Sequence, residues 1–132
     1  MEFHGLNYLA VLVAAIAGLA FGSLWYGVLF GKPWRAIVGI EAFQPKPAPM
    51  IIAFVAQVVM AWMLAGVVGH LGEVTVVRTL ISAAFLWVGF VLTTMIVTHR
   101  FQASPWSLTA IDGGHWLGVL LIMGLVIGLF GA

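Results

Sequence analysis

The chain has 132 residues, 64% of them hydrophobic and 7% charged, with a formal net charge of +1 and a mean hydropathy of +1.18. Soluble domains carry about a quarter charged residues, so a soluble chain of this size has no way to hide so much apolar surface from water. The lack of cysteine excludes a disulfide framework and thiolate chemistry, and the near-neutral charge leaves no nucleic-acid footprint.

A helix crossing a bilayer needs about 20 apolar residues. Four stretches supply them: Leu6 to Phe30, Ala48 to His70, Val76 to His99 and Leu108 to Phe130. The expected fold class is all-α, a polytopic membrane protein whose residues 1–132 form a single transmembrane domain, a four-helix bundle with short loops. No basic stretch precedes the first span and no small-residue cleavage site follows it, so it is expected to stay in the mature protein rather than act as a signal peptide. That span carries Ala10, Ala14, Gly18 and Gly22 at every fourth position, a spacing that lets helices approach closely in lipid. It ends in Ser23, Trp25 and Tyr26, and the two aromatics read first as interfacial anchors.

The first connection is the longest and most polar. Trp34, Ile37, Val38, Ile40 and Phe43 give it the pattern of a short interfacial helix, with a plain loop anchored by Trp34 as the equal alternative. Pro45, Pro47 and Pro49 predict an extended strut before the second span. That span has Ala53, Ala61, Ala65 and Gly69 in one row with Gln57, which reads as interhelical glue or as a ligand contact. The tight link Leu71 to Thr75 makes the second and third spans antiparallel neighbours.

In the third span, Leu86-Trp87-Val88-Gly89 resembles Leu24-Trp25-Tyr26-Gly27. Trp25 falls near a span end and Trp87 near mid-span, which argues against an internal duplication. Thr93, Thr94 and Thr98 are expected to bond back to their own helix. His70 and His99 stand at span ends, where hydration is expected. His4 and His70 on one side, and His99 and His115 on the other, have no recognised ligand spacing, so no metal and no cofactor is expected. No nucleophile–base arrangement is visible, and the chain is expected not to be an enzyme.

The fourth span holds the most informative residue. Asp112 is a carboxylate inside a stretch that should lie in hydrocarbon, at a cost of roughly 2.5–3.5 kcal/mol by insertion scales. His115 follows one turn later on the same face. At 1.5 Å per residue, Asp112 lies about 6–8 Å and His115 about 11–12 Å inside the span. Tyr26, Gln57, Thr94 and Thr98 fall in the same half, so Asp112, His115, Gln57, Tyr26, Thr94 and Thr98 form the candidate ligand or proton site. The alternative is that the helix starts later and Asp112 merely caps it. Gly113-Gly114 is a weak point where the helix can break, and Gly114 and Gly118 lie opposite the polar face. Two faces that both seek protein contacts predict a homo-oligomer, with a dimer favoured, packed through Gly18, Gly22, Gly114 and Gly118.

Lys32, Arg35, Lys46 and Arg100 flank the first and third connections, which the positive-inside rule places in the cytoplasm with both termini outside. Asn7-Tyr8, Trp25-Tyr26 and Leu29-Phe30-Gly31-Lys32 with Trp34 resemble a bacterial family known as the domain of unknown function seventeen-sixty-one. The resemblance implies four spans over nearly the whole chain, a bacterial inner membrane and no established activity. His115 fits that pattern, whereas Asp112 departs from it, because a neutral amide is expected nearby in many members.

Two functions follow as expectations. One is a small homo-oligomeric transporter or channel with a cytoplasm-facing polar site at Asp112 and His115. The other is an accessory or structural subunit of a larger membrane complex. A water-accessible cavity reaching Asp112 favours the first, and a dry, fully packed Asp112 bonded to backbone or to Tyr26 favours the second.

Overall fold

The computed structural model describes residues 7–39 and 46–131. Among these it forms five helices. They are α1 (Tyr8–Leu29), α2 (Gly31–Val38), α3 (Pro47–Leu71), α4 (Val76–Phe101) and α5 (Trp106–Phe130). All but α2 are long and apolar enough to cross a membrane. Each observed span lies within two residues of its predicted bounds, because apolar length and flanking turn residues are local signals. Leu6, the predicted start of the first span, lies outside the described residues.

Local chemistry accounts for the ends. The Asn7 side chain accepts from the Ala10 N–H at 3.1 Å, and Thr75 accepts from the Arg78 N–H at 3.2 Å, each filling an orphan donor of a helix start. Pro47 opens α3 at the first helical position, where its missing N–H costs nothing. The proline strut is thereby corrected: Pro47 and Pro49 belong to the first turn of α3, and Pro45 lies outside the described residues. Of the two alternatives for the first connection, a short helix is the one observed. It runs from Gly31 to Val38 and ends on Gly39, whose φ of +83° is left-handed; the expected continuation through Ile40 and Phe43 lies outside the described residues.

The spans run up and down, so the first and third connections share one end, here termed the basic end, and the termini share the other. α5 is the most buried span and α4 the least. α1 packs along one side of α5 and α4 along another, while α3 packs mainly on α1. The apolar core lies toward the terminal end and draws Val11 and Ala14, Ala61 to Val68, Ala83, and Val119 to Ile127 from all four spans. There Gly124 and Gly128 let the backbone of α4 come close: a Cβ on Gly128 would stand 2.5 Å from the Val76 Cα. Buried Thr79 donates to the Gly124 carbonyl at 2.5 Å, a tie from α4 to α5.

The helical irregularities are not where the sequence placed them. α5 is unbroken at Gly113-Gly114. Instead α1 and α4 each contain a π-helical turn, Trp25–Leu29 and Trp87–Leu92, and both begin at the tryptophan of the Leu-Trp-Xaa-Gly pair. A π turn shifts the backbone register and loosens carbonyls that lipid has no means to satisfy. In α4, the Thr93 hydroxyl donates to the Gly89 carbonyl at 2.8 Å and the Thr94 hydroxyl to the Phe90 carbonyl. The back-bonding expected of these two threonines therefore has a specific use.

The candidate polar site at the basic end

The site is assembled by the turn that ends α4. The Ser104 N–H donates to the His99 carbonyl at 2.9 Å and the Ala103 N–H to the Arg100 carbonyl at 3.2 Å, with Ala103 at φ +57°. This is the paired closure of a Schellman motif, with alanine in the left-handed position usually given to glycine. The chain reverses sharply, and His99 and Arg100 come to face Thr109 and Asp112, which lie one turn apart at the start of α5.

The contacts form a chain. Arg100 Nη2 donates to Thr109 Oγ1 at 3.0 Å and to the Ser104 carbonyl at 2.9 Å, while its guanidinium lies 3.6 Å above the Trp106 ring. Thr109 Oγ1 is 2.7 Å from His99 Nδ1, and His99 Nε2 is 3.6 Å from Asp112 Oδ2. The Tyr26 hydroxyl of α1 donates to Asp112 Oδ1 at 2.6 Å. Arginine has only donors, so Thr109 Oγ1 accepts from it and has its own hydrogen to give to His99 Nδ1. The tautomer that accepts there carries its hydrogen on Nε2, toward the carboxylate. The donor direction then runs from Arg100 through Thr109 to His99, whose Nε2 stands 3.6 Å from Asp112 Oδ2, and Tyr26 donates to the carboxylate from the other side.

Two tryptophans grip the same stretch of α5. Trp25 Nε1 donates to the Ile111 carbonyl at 3.0 Å, and Trp87 Nε1 donates to the Gly113 carbonyl at 2.9 Å. Carbonyls two residues apart on a helix differ by only about 3 Å along its axis. Trp25 and Trp87 therefore act at one depth, and the depth mismatch argued from span ends does not hold. Trp25 and Trp87 donate inward to α5 and Tyr26 donates to Asp112, so Trp25 and Tyr26 face the site.

His115 occupies an adjoining compartment. Its ring centroid lies 4.8 Å from Tyr26, 4.5 Å from Trp116 and 6.2 Å from Phe21, the last nearly parallel. Gln57 and His115 are both buried, and Gln57 Oε1 and His115 Nδ1 have no hydrogen-bond partner among the described residues. Gly18 and Gly22 make room for them. A Cβ would stand 2.5 Å from Gln57 Oε1 at Gly18 and 2.8 Å from His115 Nε2 at Gly22.

Measured against the expected site, Asp112 and Tyr26 are joined directly, and the N-cap alternative for Asp112 fails because α5 starts at Trp106. His115 touches the Tyr26 ring, yet the histidine that meets the Asp112 carboxylate is His99, which is buried rather than hydrated. Gln57 shares a cavity with His115 and Tyr26. Thr94 and Thr98 stand apart from these, exposed along a separate cavity of about 440 Å³ that His99 and Trp116 also line. Sequence reasoning missed His99, Arg100 and Thr109 as members. The three-residue spacing of Thr109 and Asp112, opposite a short reversal, was the signal available.

The glycines expected to drive self-association have partners within the chain. A Cβ on Gly114 would stand 3.0 Å from the Trp25 ring, and one on Gly118 would overlap the Phe21 ring. Both faces of α5 are covered because it sits between α1 and α4, so two demanding faces need no second copy.

A family model described as "Protein of unknown function (DUF1761)" matches residues 9–128. No curated protein and no solved structure matches the chain.

Proposed function

The chain belongs to the DUF1761 family, whose description carries no activity, and we propose from the geometry that it is a small transporter that passes a proton or small cation through the polar site. The observation that carries this reading is the run of exchangeable groups from Arg100 through Thr109, His99 and Asp112 to Tyr26, with His115 against the Tyr26 ring. No lysine or arginine pairs directly with the Asp112 carboxylate among the described residues; its charge is met by groups able to give and take protons. The positive-inside rule supports a bacterial inner membrane setting, with this site facing the cytoplasm and both termini outside. A single cysteine at Gln44 or Ala132, labelled from outside intact cells, tests the orientation; labelling only at Gln44 reverses it. A homo-oligomer belongs to the proposal through α4, the least buried of the four spans. Protein that is monomeric at every concentration in nanodiscs removes that part.

Proton flux into proteoliposomes, measured between about pH 5 and 8, tests the transport reading. Asp112→Asn is expected to abolish the flux while the protein still folds. Absence of flux in the wild-type protein, or equal flux in both, refutes it.

One observation favours the second reading, an accessory or structural subunit without catalytic or transport activity. Both Asp112 oxygens face side chains of the fold itself, those contacts join α1, α4 and α5, and the Tyr26 bond is the one expected of this reading, although the Asp112 side chain is 21% exposed rather than dry and fully packed. On this reading Asp112→Asn changes stability or assembly into a larger complex, and no flux exists to lose.

A further inference from the structure

We propose that the cavity between α3 and α4 at the terminal end of the bundle is a binding site for one anionic phospholipid, with its phosphate on Arg78 and an acyl chain along Ile81 and Phe85. The cavity has a volume of about 260 Å³. Arg78, Ile81, Ser82 and Phe85 line it from α4, and Val68 and Leu71 from α3. The four α4 residues are spaced i, i+3, i+4 and i+7, which puts them on one face of that helix.

Depth orders these groups as a glycerophospholipid orders its own. α4 has 26 residues, about 39 Å of helix against a hydrocarbon core of about 30 Å, so about 4–5 Å at each end stands at headgroup level. Counted from Val76, Arg78 lies about 3 Å, Ser82 about 9 Å and Phe85 about 14 Å along the axis. A cation thus meets the headgroup, a hydroxyl the ester region and an aromatic ring the chain.

The polar members are open to a ligand. Arg78 is exposed, and its guanidinium forms no ion pair or hydrogen bond among the described residues. Gly72 seats it: a Cβ there would overlap the guanidinium, so the side chain lies against the C-terminal cap of α3. Ser23, Thr79, Thr93 and Thr94 bond back to carbonyls of their own helices, whereas Ser82 makes no hydrogen bond among the described residues. Glu73, in the turn before α4, does not line the cavity, which therefore carries one positive charge and no negative one. A phosphodiester supplies both the charge and the paired acceptor oxygens that a guanidinium takes in a fork. A headgroup with its own ammonium would bring a second cation to Arg78, which selects an anionic lipid. The apolar remainder of the wall selects a ligand with a chain. This site lies at the opposite end of the bundle from Asp112, and absence of proton flux leaves it standing.

The test is native mass spectrometry of the full chain released from nanodiscs of equal phosphatidylglycerol and phosphatidylcholine. One retained lipid per chain is expected, with phosphatidylglycerol favoured about fivefold, the preference that one cation at the membrane surface supports. Arg78→Gln should bring the ratio to one, while Lys32→Gln with Arg35→Gln, at the basic end, should leave it unchanged. Ser82→Phe fills the cavity beside an intact Arg78 and should remove the retained lipid; it keeps the proposal open to refutation if Arg78→Gln fails to fold. Equal retention of the two lipids by the wild-type protein overturns the proposal, as does a phosphatidylglycerol excess that survives Arg78→Gln or a lipid still held by Ser82→Phe. Loss of the excess in the basic-end variant overturns it too and moves the lipid to Lys32 and Arg35. Displacement of the lipid by glycerol phosphate would make a free phosphate ester the ligand and overturn the assignment to a lipid.

Discussion

Removing the Tyr26 hydroxyl isolates one bond of the polar chain. Tyr26→Phe keeps the ring, which lies 4.9 Å from Trp34 and 4.8 Å from His115, and deletes only the donor to Asp112 Oδ1 at 2.6 Å. Hydrogen bonds to charged groups contribute about 1.5–3 kcal/mol. The Asp112 side chain is 21% exposed, so water takes up part of the loss, and the expected destabilisation falls in the lower half of that range, about 1.5–2 kcal/mol. In an Asp112→Asn background the same bond is neutral and contributes about 0.5–1 kcal/mol, which leaves a coupling of about 1 kcal/mol between the two positions. Asp112→Asn alone is expected to hold or raise stability, since a charge leaves the membrane interior. Reversible unfolding of the wild-type, both single variants and the double variant in mixed detergent micelles measures all four corners of the cycle. If Tyr26→Phe costs the same in both backgrounds, to within about 0.5 kcal/mol, the carboxylate is not what the hydroxyl holds, and the donor chain reasoned from Arg100 to Tyr26 is wrong.

The same unfolding measurement separates two kinds of glycine. Gly128→Ala drives a Cβ against the Val76 backbone, which no rotamer can relieve, and should cost about 2–3 kcal/mol. Gly27→Ala and Gly89→Ala meet nothing and should be neutral or stabilising by up to about 1 kcal/mol; a large loss at either would mean that the π turns themselves require glycine. Trp25→Phe and Trp87→Phe each remove one indole donor to α5 and should each cost at least about 0.6 kcal/mol, plus the lost ring packing; a stability unchanged in either variant refutes the clamp. Ala103→Gly relieves a left-handed alanine and should stabilise by about 0.5–1 kcal/mol after the added freedom of the unfolded chain; destabilisation would remove the Schellman reading of that turn.

By itself the sequence determined the four spans, their connections and the half of the bundle in which polar groups gather. Those depend on apolar length, on prolines and glycines at turns, and on depth along a helix, all of which are local. Asp112 and Tyr26 were legible as site residues because a charge and a phenol at the same depth in hydrocarbon need partners. The tertiary structure alone decided which partners they take. His99 looked like a hydrated span end until the left-handed turn at Ala103 folded it back against Thr109 and Asp112. Gly114 and Gly118 looked like an interface until α5 proved to be central, with Trp25 and Phe21 filling the grooves that they open. The two Leu-Trp-Xaa-Gly segments looked mismatched in depth because span ends were taken as rulers. Helices of unequal length start at different heights, and only their packing on α5 shows that both indoles reach the same turn. Periodicity places a side chain on a face of its own helix; which neighbour occupies that face depends on contacts between residues far apart in the chain.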